Sequence, residues 1–223
     1  MQAVILAAGL GTRMRELTSS TPKPLLKIGD KTLLEYKLQN LPDEIDEVVM
    51  VIGYLGDQIK STFDGVYAGK KITYIEQKEL KGTGHALSLC QSLLKGRFLV
   101  LMGDDLYAKE DLEKLVSYPL SVLACELDRD IPGEKRAEIK VDSYGRVIEI
   151  NESALALKGI LENAAAYVLD KSYFDYPLKP ADSNSKEFGL PQTMTQMVKD
   201  GKDIKIVKAT WWKKVSAPED LTF

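Results

Sequence analysis

LAAGLGTRMRELTSSTPKPLL, residues 6–26, is the stretch that decides the fold prediction. It follows an apolar run at 3–6 that predicts a buried first strand. Small residues come next, and they let main-chain N–H groups approach a phosphate closely: Ala7, Ala8, Gly9 and Gly11. Arg13 and Lys23 add positive charge to the same loop. A loop of this composition after a parallel strand is typical of a triphosphate-binding site.

Two common phosphate-binding motifs do not fit this loop. A dinucleotide fingerprint that starts at Gly9 would need glycine where Met14 stands, and the sequence contains no Walker A string. The chain instead has G-x-G-T-R at 9–13 and P-K-P at 22–24. In order and context these two parts resemble the sugar-phosphate nucleotidyltransferases, which include glucose-1-phosphate thymidylyltransferases and N-acetylglucosamine-1-phosphate uridylyltransferases. The plainer interpretation is a glycine-rich turn beside a proline-rich loop.

Composition sets broad limits on the function. The chain has 223 residues, of which 44% are apolar and 28% charged, as in an ordinary globular domain. A net charge of −3 gives no case for nucleic-acid binding. No apolar run approaches the roughly 20 residues that span a bilayer, so we expect no membrane partner. The lone histidine, His85, argues against a histidine metal cluster or a Ser-His-Asp triad.

The cysteines and the chain ends suggest a location and an extent. Cys90 and Cys125 match no metal or redox spacing, and no basic leader precedes the first strand. These features predict a cytoplasmic protein. The sequence ends two residues after Leu221, so we expect no appended acyltransferase or regulatory domain.

Alternating strand and helix patterns predict an α/β fold. The first half has strand patterns at 3–6, 47–52, 72–76 and 97–102, and helix patterns at 32–40, 55–63, 83–94 and 109–117. The second half has strand patterns at 120–126, 137–141, 147–150, 161–169 and 203–208, a turn at 142–145, a candidate mobile loop at 177–186 and a helix at 188–200.

Strands separated by helices predict right-handed crossovers and a mainly parallel sheet. We expect a single domain, 1–223, with a Rossmann-like mixed, mainly parallel sheet flanked by helices. The family resemblance implies a GT-A-like nucleotidyltransferase fold, with a nucleotide-binding half at 1–118. A small antiparallel, sugar-binding addition would occupy 119–223.

A second motif follows the third predicted strand. Gln77 offers an amide donor and acceptor, which suits a pyrimidine edge. The string KGTGHAL at 81–87 resembles the base-reading segment of uridylyltransferases, so Gln77, Gly82 and Thr83 are expected to bind the nucleotide, with UTP favoured. The same string also fits a plain helix N-terminus, and His85 is expected to be structural.

The third motif is LVLMGDD at 99–105. A carboxylate at the C-terminal end of a strand can hold Mg²⁺, and the resemblance places Asp104 on that metal. It also places Gly103 at the sugar phosphate. By itself, such an aspartate pair is equally typical of a turn.

The sugar side departs from the family pattern. Glu152, Asn163 and Glu187 resemble sugar contacts, although each fits a solvent-facing or capping role equally well. Ser153 and Ala165 stand where relatives usually have lysine and glycine. Lys214 stands where relatives often have the aspartate that completes the metal site. Lys214 could point away, hold the sugar phosphate, or mark a degenerate site.

The family resemblance implies transfer of a nucleotidyl group from an NTP to a sugar 1-phosphate, giving a nucleotide sugar and pyrophosphate. The attacking phosphate is already an anion, so catalysis needs positioning and charge neutralisation rather than a general base. We assign catalysis to Arg13 and Lys23. Nucleotide binding is assigned to Leu6, Ala7, Ala8, Gly9, Gly11, Thr12, Arg13, Gln77, Gly82 and Thr83. Sugar-phosphate binding is assigned to Gly103, Glu152, Asn163, Glu187 and Lys214.

Two alternatives and the oligomeric state stay open. One alternative is a CTP-dependent cytidylyltransferase that acts on phosphocholine or a polyol phosphate, since such enzymes share the first motif. The other is a catalytically silent nucleotide-binding regulatory subunit. The sequence also leaves a homo-oligomer open.

Overall fold

The apolar strands of the first half pair in parallel at the centre of a ten-stranded mixed sheet. The computed structural model describes residues 1–222. Its strands are β1 Gln2–Ala7, β2 Lys27–Ile28, β3 Lys31–Thr32, β4 Glu47–Ile52, β5 Val66–Tyr67, β6 Lys70–Glu76, β7 Arg97–Met102, β8 Leu106–Tyr107, β9 Ser121–Glu126, β10 Lys135–Val141, β11 Val147–Leu155, β12 Leu161–Asp170, β13 Lys179–Pro180, β14 Phe188–Gly189, β15 Lys205–Lys208 and β16 Trp212–Lys213. Its α-helices are α1 Leu33–Asn40, α2 Gly56–Phe63, α3 Gly82–Ser88, α4 Lys109–Val116 and α5 Leu190–Lys199.

The sheet has the order β11-β10-β12-β7-β1-β4-β6-β5, and β9 joins β12 to β15. Strand β1 is parallel to both β4 and β7, and β4 is parallel to β6. Their central residues are buried on both faces of the sheet, as a parallel sheet covered by helices requires. The predicted mainly parallel sheet of the first half is confirmed.

The antiparallel strands of the second half extend the same sheet. β12 runs antiparallel to β7, with Tyr167 opposite Val100, and it also pairs with β9. The β9 pairing shifts register between Asn163 and Tyr167, which lie opposite Ala124 and Val122. Four residue steps along β12 therefore match two steps along β9, and the extra residues form a bulge. Hydrogen bonding across the sheet is thus continuous from one predicted half to the other.

Local signals explain where several elements begin. Helix α1 starts at a capping box, in which Thr32 Oγ1 accepts from the Glu35 N–H and Glu35 Oε2 accepts from the Thr32 N–H. The predicted turn between β10 and β11 is confirmed. There, Asp142 Oδ1 accepts from the Tyr144 and Arg146 N–H groups, and Gly145 takes a φ of 74°.

Some predicted element boundaries were wrong. The predicted helix at 83–94 ends at Ser88 and continues as turns. The predicted helix at 188–200 begins at Leu190, because its first two residues form β14, which pairs with β13 in the segment expected to be a mobile loop. Strand β11 runs on to Leu155, beyond the apolar residues that predicted it.

Three apolar clusters hold the fold together. One packs on each face of the main sheet. A third lies under the loops and contains Met14, Leu26, Ile28, Leu33, Leu106 and Val215. This third cluster seats the loop after β1 against the segment after β7. Within residues 1–222, every helix is too short or too polar to cross a membrane.

Candidate active site

A cleft of about 520 Å³ opens at the carboxyl ends of β1, β6 and β7. This edge is where parallel α/β sheets generally bind ligands. Most of the residues predicted to bind substrates line it: Leu6, Ala7, Ala8, Gly9, Gly11, Thr12, Arg13, Lys23, Gln77, Gly82, Thr83, Gly103, Asp104, Glu152 and Glu187. Asn163 and Lys214 are not part of this lining. The individual ligand-binding roles remain predictions.

The two glycines of the first loop differ in what surrounds them. A Cβ on Gly9 would have no heavy atom within 4 Å among the described residues, so the main chain there faces open space in the cleft. Gly11 has a φ of 65°, and a Cβ on it would lie 2.9 Å from the Cβ of Lys23. Gly11 therefore allows the loop to pack directly against Lys23. The packing explains why the two parts of the first motif occur together.

Lys23 and Asp104 meet at the floor of the cleft. The Lys23 ammonium lies 2.5 Å from Asp104 Oδ2, and the two side chains are 8% and 35% exposed. Lys23 is thus mostly buried, whereas Asp104 is open to the cleft. A phosphate that binds Lys23 competes with Asp104 for the ammonium, and a cation on Asp104 would release Lys23 toward the phosphate.

The amide of Gln77 is oriented by its own neighbours. Its Nε2 donates to the Gly82 carbonyl at 3.1 Å and lies 3.0 Å from His85 Nδ1. With the amide nitrogen donating to both, Nδ1 of His85 is the acceptor. The amide oxygen is left to accept from a ligand. This arrangement supports the expectation that His85 is structural.

The β13–β14 hairpin supplies the opposite wall, which the sequence did not predict. The Phe188 N–H donates to the Lys81 carbonyl at 2.8 Å, and the Leu190 N–H donates to Thr83 Oγ1 at 3.1 Å. Gly82 has a φ of 85°, and a Cβ there would lie 2.5 Å from the Phe188 carbonyl oxygen. The hairpin thereby brings Glu187 beside the N-terminus of α3.

Gln192, which carried no sequence signal, links two parts of the sugar side. Its Nε2 donates to Glu152 Oε2 at 3.1 Å and to the Ala181 carbonyl at 2.9 Å. Two acceptors fix the orientation of the amide and leave Gln192 Oε1 buried without a partner among residues 1–222. Gln192 therefore orients the carboxylate of Glu152 and holds it to the hairpin.

Asn163 supports the bulge in β12 from a buried position. Its Oδ1 accepts from the Ala165 N–H at 3.0 Å, and its Nδ2 donates to the Tyr167 hydroxyl at 2.7 Å. Ala165 takes a φ of 54°, a left-handed conformation that strains a residue with a Cβ. Glycine would adopt it freely. The structure therefore gives the Asn163 side chain a role within the fold.

Lys214 lies beside buried carboxylates, outside the lining of the cleft. Its ammonium is 3.7 Å from Glu162 Oε1, which also lies 3.4 Å from Arg136 Nε. Burial raises the pKa of Glu162, and the two cations oppose that rise. Lys214 also opposes the raised pKa of Asp105, which burial and the neighbouring Asp104 carboxylate produce.

The donor set fits a divalent cation that arrives with a nucleotide. Within the described chain, no three histidine, cysteine, aspartate or glutamate side chains come together as a closed metal site. Asp104 nevertheless presents a partly exposed carboxylate to the cleft. Because Mg²⁺ often binds one or two carboxylates together with substrate phosphates, a single carboxylate such as that of Asp104 is compatible with it.

Comparison with known sequences covers nearly the whole chain. The family model described as Nucleotidyl transferase matches residues 2–222. A bifunctional protein GlmU of Methanocaldococcus jannaschii is 30% identical over 99% of this chain and 52% of its own length. The chain thus spans about half the length of that relative.

Two other relatives match along most of their own length. The UTP–glucose-1-phosphate uridylyltransferase AglF of Haloferax volcanii is 28% identical over 99% of this chain and 93% of its own length. A D-glycero-alpha-D-manno-heptose 1-phosphate guanylyltransferase of Campylobacter jejuni is 30% identical over 99% of this chain and 96% of its own length. The nucleotide named therefore differs between relatives.

Solved structures share the fold. A Bacillus anthracis protein described as a glucose-1-phosphate thymidylyltransferase superposes with a TM-score of 0.83 at 24% identity, covering 99% of this chain and 92% of that one. The inositol-1-phosphate CTP transferase from T. maritima gives 0.78 at 21% identity, covering 98% and 90%. With the matched sequence family, the parallel sheet and the cleft at its carboxyl edge, this chain belongs to the nucleotidyl transferase family.

Proposed function

We propose that this chain transfers a nucleotidyl group from a nucleoside triphosphate, UTP by preference, to a sugar 1-phosphate and releases pyrophosphate. The observation that carries the proposal is the contact between Lys23 and Asp104 at the floor of the cleft. It places an ammonium that can bind phosphate next to a carboxylate that can bind a metal, beside the loop of small residues at 7–11. Family membership supports the reaction class.

The reaction needs charge neutralisation more than proton transfer. An oxygen of the sugar phosphate attacks the α-phosphorus, and the bond from that phosphorus to the pyrophosphate oxygen breaks. The attacking oxygen is already anionic because the second pKa of a phosphate monoester lies near 6. A bound Mg²⁺ would supply positive charge shared between Asp104 and the phosphates. Arg13 would hold the triphosphate and the leaving pyrophosphate, and Lys23 the α-phosphate and the attacking oxygen.

The preference for UTP rests on the segment at 81–87, and the orientation of Gln77 is compatible with it. With its amide nitrogen donating to the Gly82 carbonyl, Gln77 offers an oriented oxygen to the N–H edge of a base. Uracil carries such a donor at N3, and cytosine carries one at its amino group. The segment at 81–87 favours uracil through its resemblance to uridylyltransferases. Among the relatives, AglF is named for the use of UTP.

The sugar is proposed to lie between Glu152 and Glu187, which line the cleft from β11 and from the hairpin. Lys214, whose charge also acts on Asp105, would supply positive charge to the sugar phosphate. Its 3.7 Å contact with Glu162 is longer than a hydrogen bond, and its side chain is 42% exposed, so its ammonium can move. A cytoplasmic location and a homo-oligomer remain predictions.

Lys214→Asp tests this role. We expect a stronger dependence on Mg²⁺, because a second carboxylate is added, and a higher KM for the sugar phosphate, because a cation is lost. Steady-state kinetics over a range of Mg²⁺ concentrations measures both. An unchanged KM would contradict the proposed role.

The function itself is tested by pyrophosphate release with Mg²⁺. Each of the four ribonucleoside triphosphates is combined with a panel of sugar 1-phosphates and with phosphocholine. We expect release with UTP and one sugar phosphate. Release only with CTP and phosphocholine would move the chain to the cytidylyltransferases. Nucleotide binding by calorimetry without any turnover would identify a regulatory subunit and overturn the proposal.

A further inference from the structure

A buried lysine contacts the turn at 103–105, which carries Asp104. Lys37 of α1 is 2% exposed, and its ammonium donates to the main-chain carbonyl of Asp105, the residue after Asp104. The same ammonium lies 4.9 Å from the centre of the Tyr107 ring. The proposed chemistry does not use Lys37, which lies outside the lining of the cleft.

Helix α1 is a firm support for this contact. It begins at the capping box of Thr32 and Glu35, and Leu34 and Leu38 are fully buried in the core. One turn beyond Lys37, Asn40 Nδ2 donates to the Tyr107 carbonyl at 3.0 Å. Two side chains of one helix thus hold the main chain at 105 and 107.

The segment is also held from its other side. Trp212 Nε1 donates to Asp105 Oδ2 at 3.2 Å, and β16 pairs with β8 through Trp212 and Tyr107. Asp105 is therefore fixed through its side chain by the C-terminal part and through its carbonyl by α1. Asp104, immediately before it, is the residue whose carboxylate points into the cleft.

Burying the ammonium of Lys37 costs free energy. Burial lowers the pKa of Lys37, and the carboxylates of Asp105 and Asp104 oppose that change. A neutral side chain of similar length would avoid the cost of burying an ammonium. It would, however, leave the Asp105 carbonyl without its donor.

We propose that Lys37 is a positioning residue for the active site. By holding the Asp105 carbonyl, it fixes the turn at 103–105 and sets where the Asp104 carboxylate stands relative to Lys23. The catalytic part of this inference rests on the proposed function. The structural part, that Lys37 restrains the turn, does not.

The test compares Lys37→Met with Lys70→Met. Lys70 is a matched control, because it is also buried, at 9% exposed, and donates to main-chain carbonyls, those of Pro42 and Ile45. It lies at the amino end of β6, the opposite edge of the sheet from the cleft. Both variants lose a buried lysine and its carbonyl contact, and we expect both to melt at a lower temperature.

Only Lys37→Met should change catalysis. We expect its kcat to fall by about 10- to 100-fold, with the KM for the nucleotide within about twofold, because the nucleotide loop is untouched and only the reacting groups are misplaced. Lys70→Met should keep kcat within about twofold. Equal values of kcat for the two variants would show that Lys37 only stabilises the fold and would overturn the proposal.

A second readout does not need turnover. Amide hydrogen exchange in the segment 103–108 should rise by about tenfold or more in Lys37→Met and stay unchanged in Lys70→Met. If the wild-type protein has no activity, the proposed function is wrong, but this measurement still tests whether Lys37 restrains the segment. Equal exchange in both variants would overturn it.

If Lys37→Met alone folds poorly, the double variant of Lys37→Met with Asp105→Asn is measured instead. The asparagine keeps an acceptor for Trp212 and removes the carboxylate left without its cation. Compared with Asp105→Asn alone, the double variant should keep the low kcat and the faster exchange. Recovery of both to the level of Asp105→Asn would overturn the proposal.

Discussion

Lys23 is the residue on which the proposed chemistry depends most directly. We expect Lys23→Ala to lower kcat by about 10²- to 10³-fold, because the lost ammonium would stabilise charge in the transition state. Stability should fall only modestly: the buried stem of Lys23 loses its packing against Gly11, but Asp104 is partly exposed and remains hydrated without its partner. Steady-state kinetics and thermal unfolding measure the two effects. Lys27→Ala, which removes an exposed lysine outside the cleft, is the control. Retention of most activity in Lys23→Ala would exclude the assigned role.

Gly9 and Gly11 separate binding from folding within one loop. Gly9→Ala should keep the wild-type stability, because its Cβ would enter open space, but weaken nucleotide binding where the phosphates approach. Gly11→Ala should lose about 1–2 kcal/mol of stability from its left-handed φ and also displace Lys23. Urea unfolding and calorimetric titration with UTP distinguish the two. Identical behaviour of the variants would contradict this division.

At the scale of elements, the bulge in β12 carries measurable strain. Ala165→Gly should stabilise the protein by about 0.5–1 kcal/mol, because glycine adopts a φ of 54° without a clash. Ala164→Gly, at the buried neighbouring position, should destabilise it by about 1 kcal/mol. Denaturant midpoints give both values. A loss of stability in Ala165→Gly would mean that packing of the methyl group outweighs the backbone strain.

The same elements show how much of the structure could be predicted from the sequence. The parallel strands and their shared edge were predictable because continuous apolar runs mark strands buried on both faces. Residues of the cleft after β1, β6 and β7 followed from that edge. The β13–β14 hairpin was not predictable, since two-residue pairings leave no periodicity. Asn163 carries a sequence pattern typical of a ligand contact, yet the bulge turns its side chain toward Ala165 and Tyr167.

At the scale of the whole molecule, β12 makes the two predicted halves interdependent. It pairs with β7 of the first half and β9 of the second, and the core clusters draw residues from both. We therefore expect a fragment of residues 1–118 to lack a cooperative thermal transition, because β7 loses a neighbour and the core loses one side. The full chain should unfold in one step by circular dichroism. A folded fragment, or two separate transitions in the full chain, would contradict the single-domain prediction.

The close approach of Gly82 to Phe188 has a consequence for how this protein can change. The wall expected to select the base and the wall expected to select the sugar meet directly through main-chain atoms at Gly82 and Phe188, so a shift of one is passed to the other. A mutation that changes the shape of one wall therefore disturbs the other. The preference for the base and the preference for the sugar then change together. Directed evolution toward a new nucleotide sugar should accordingly randomise 82–83 and 187–190 in one library, because successive single-site libraries would pass through poorly active intermediates.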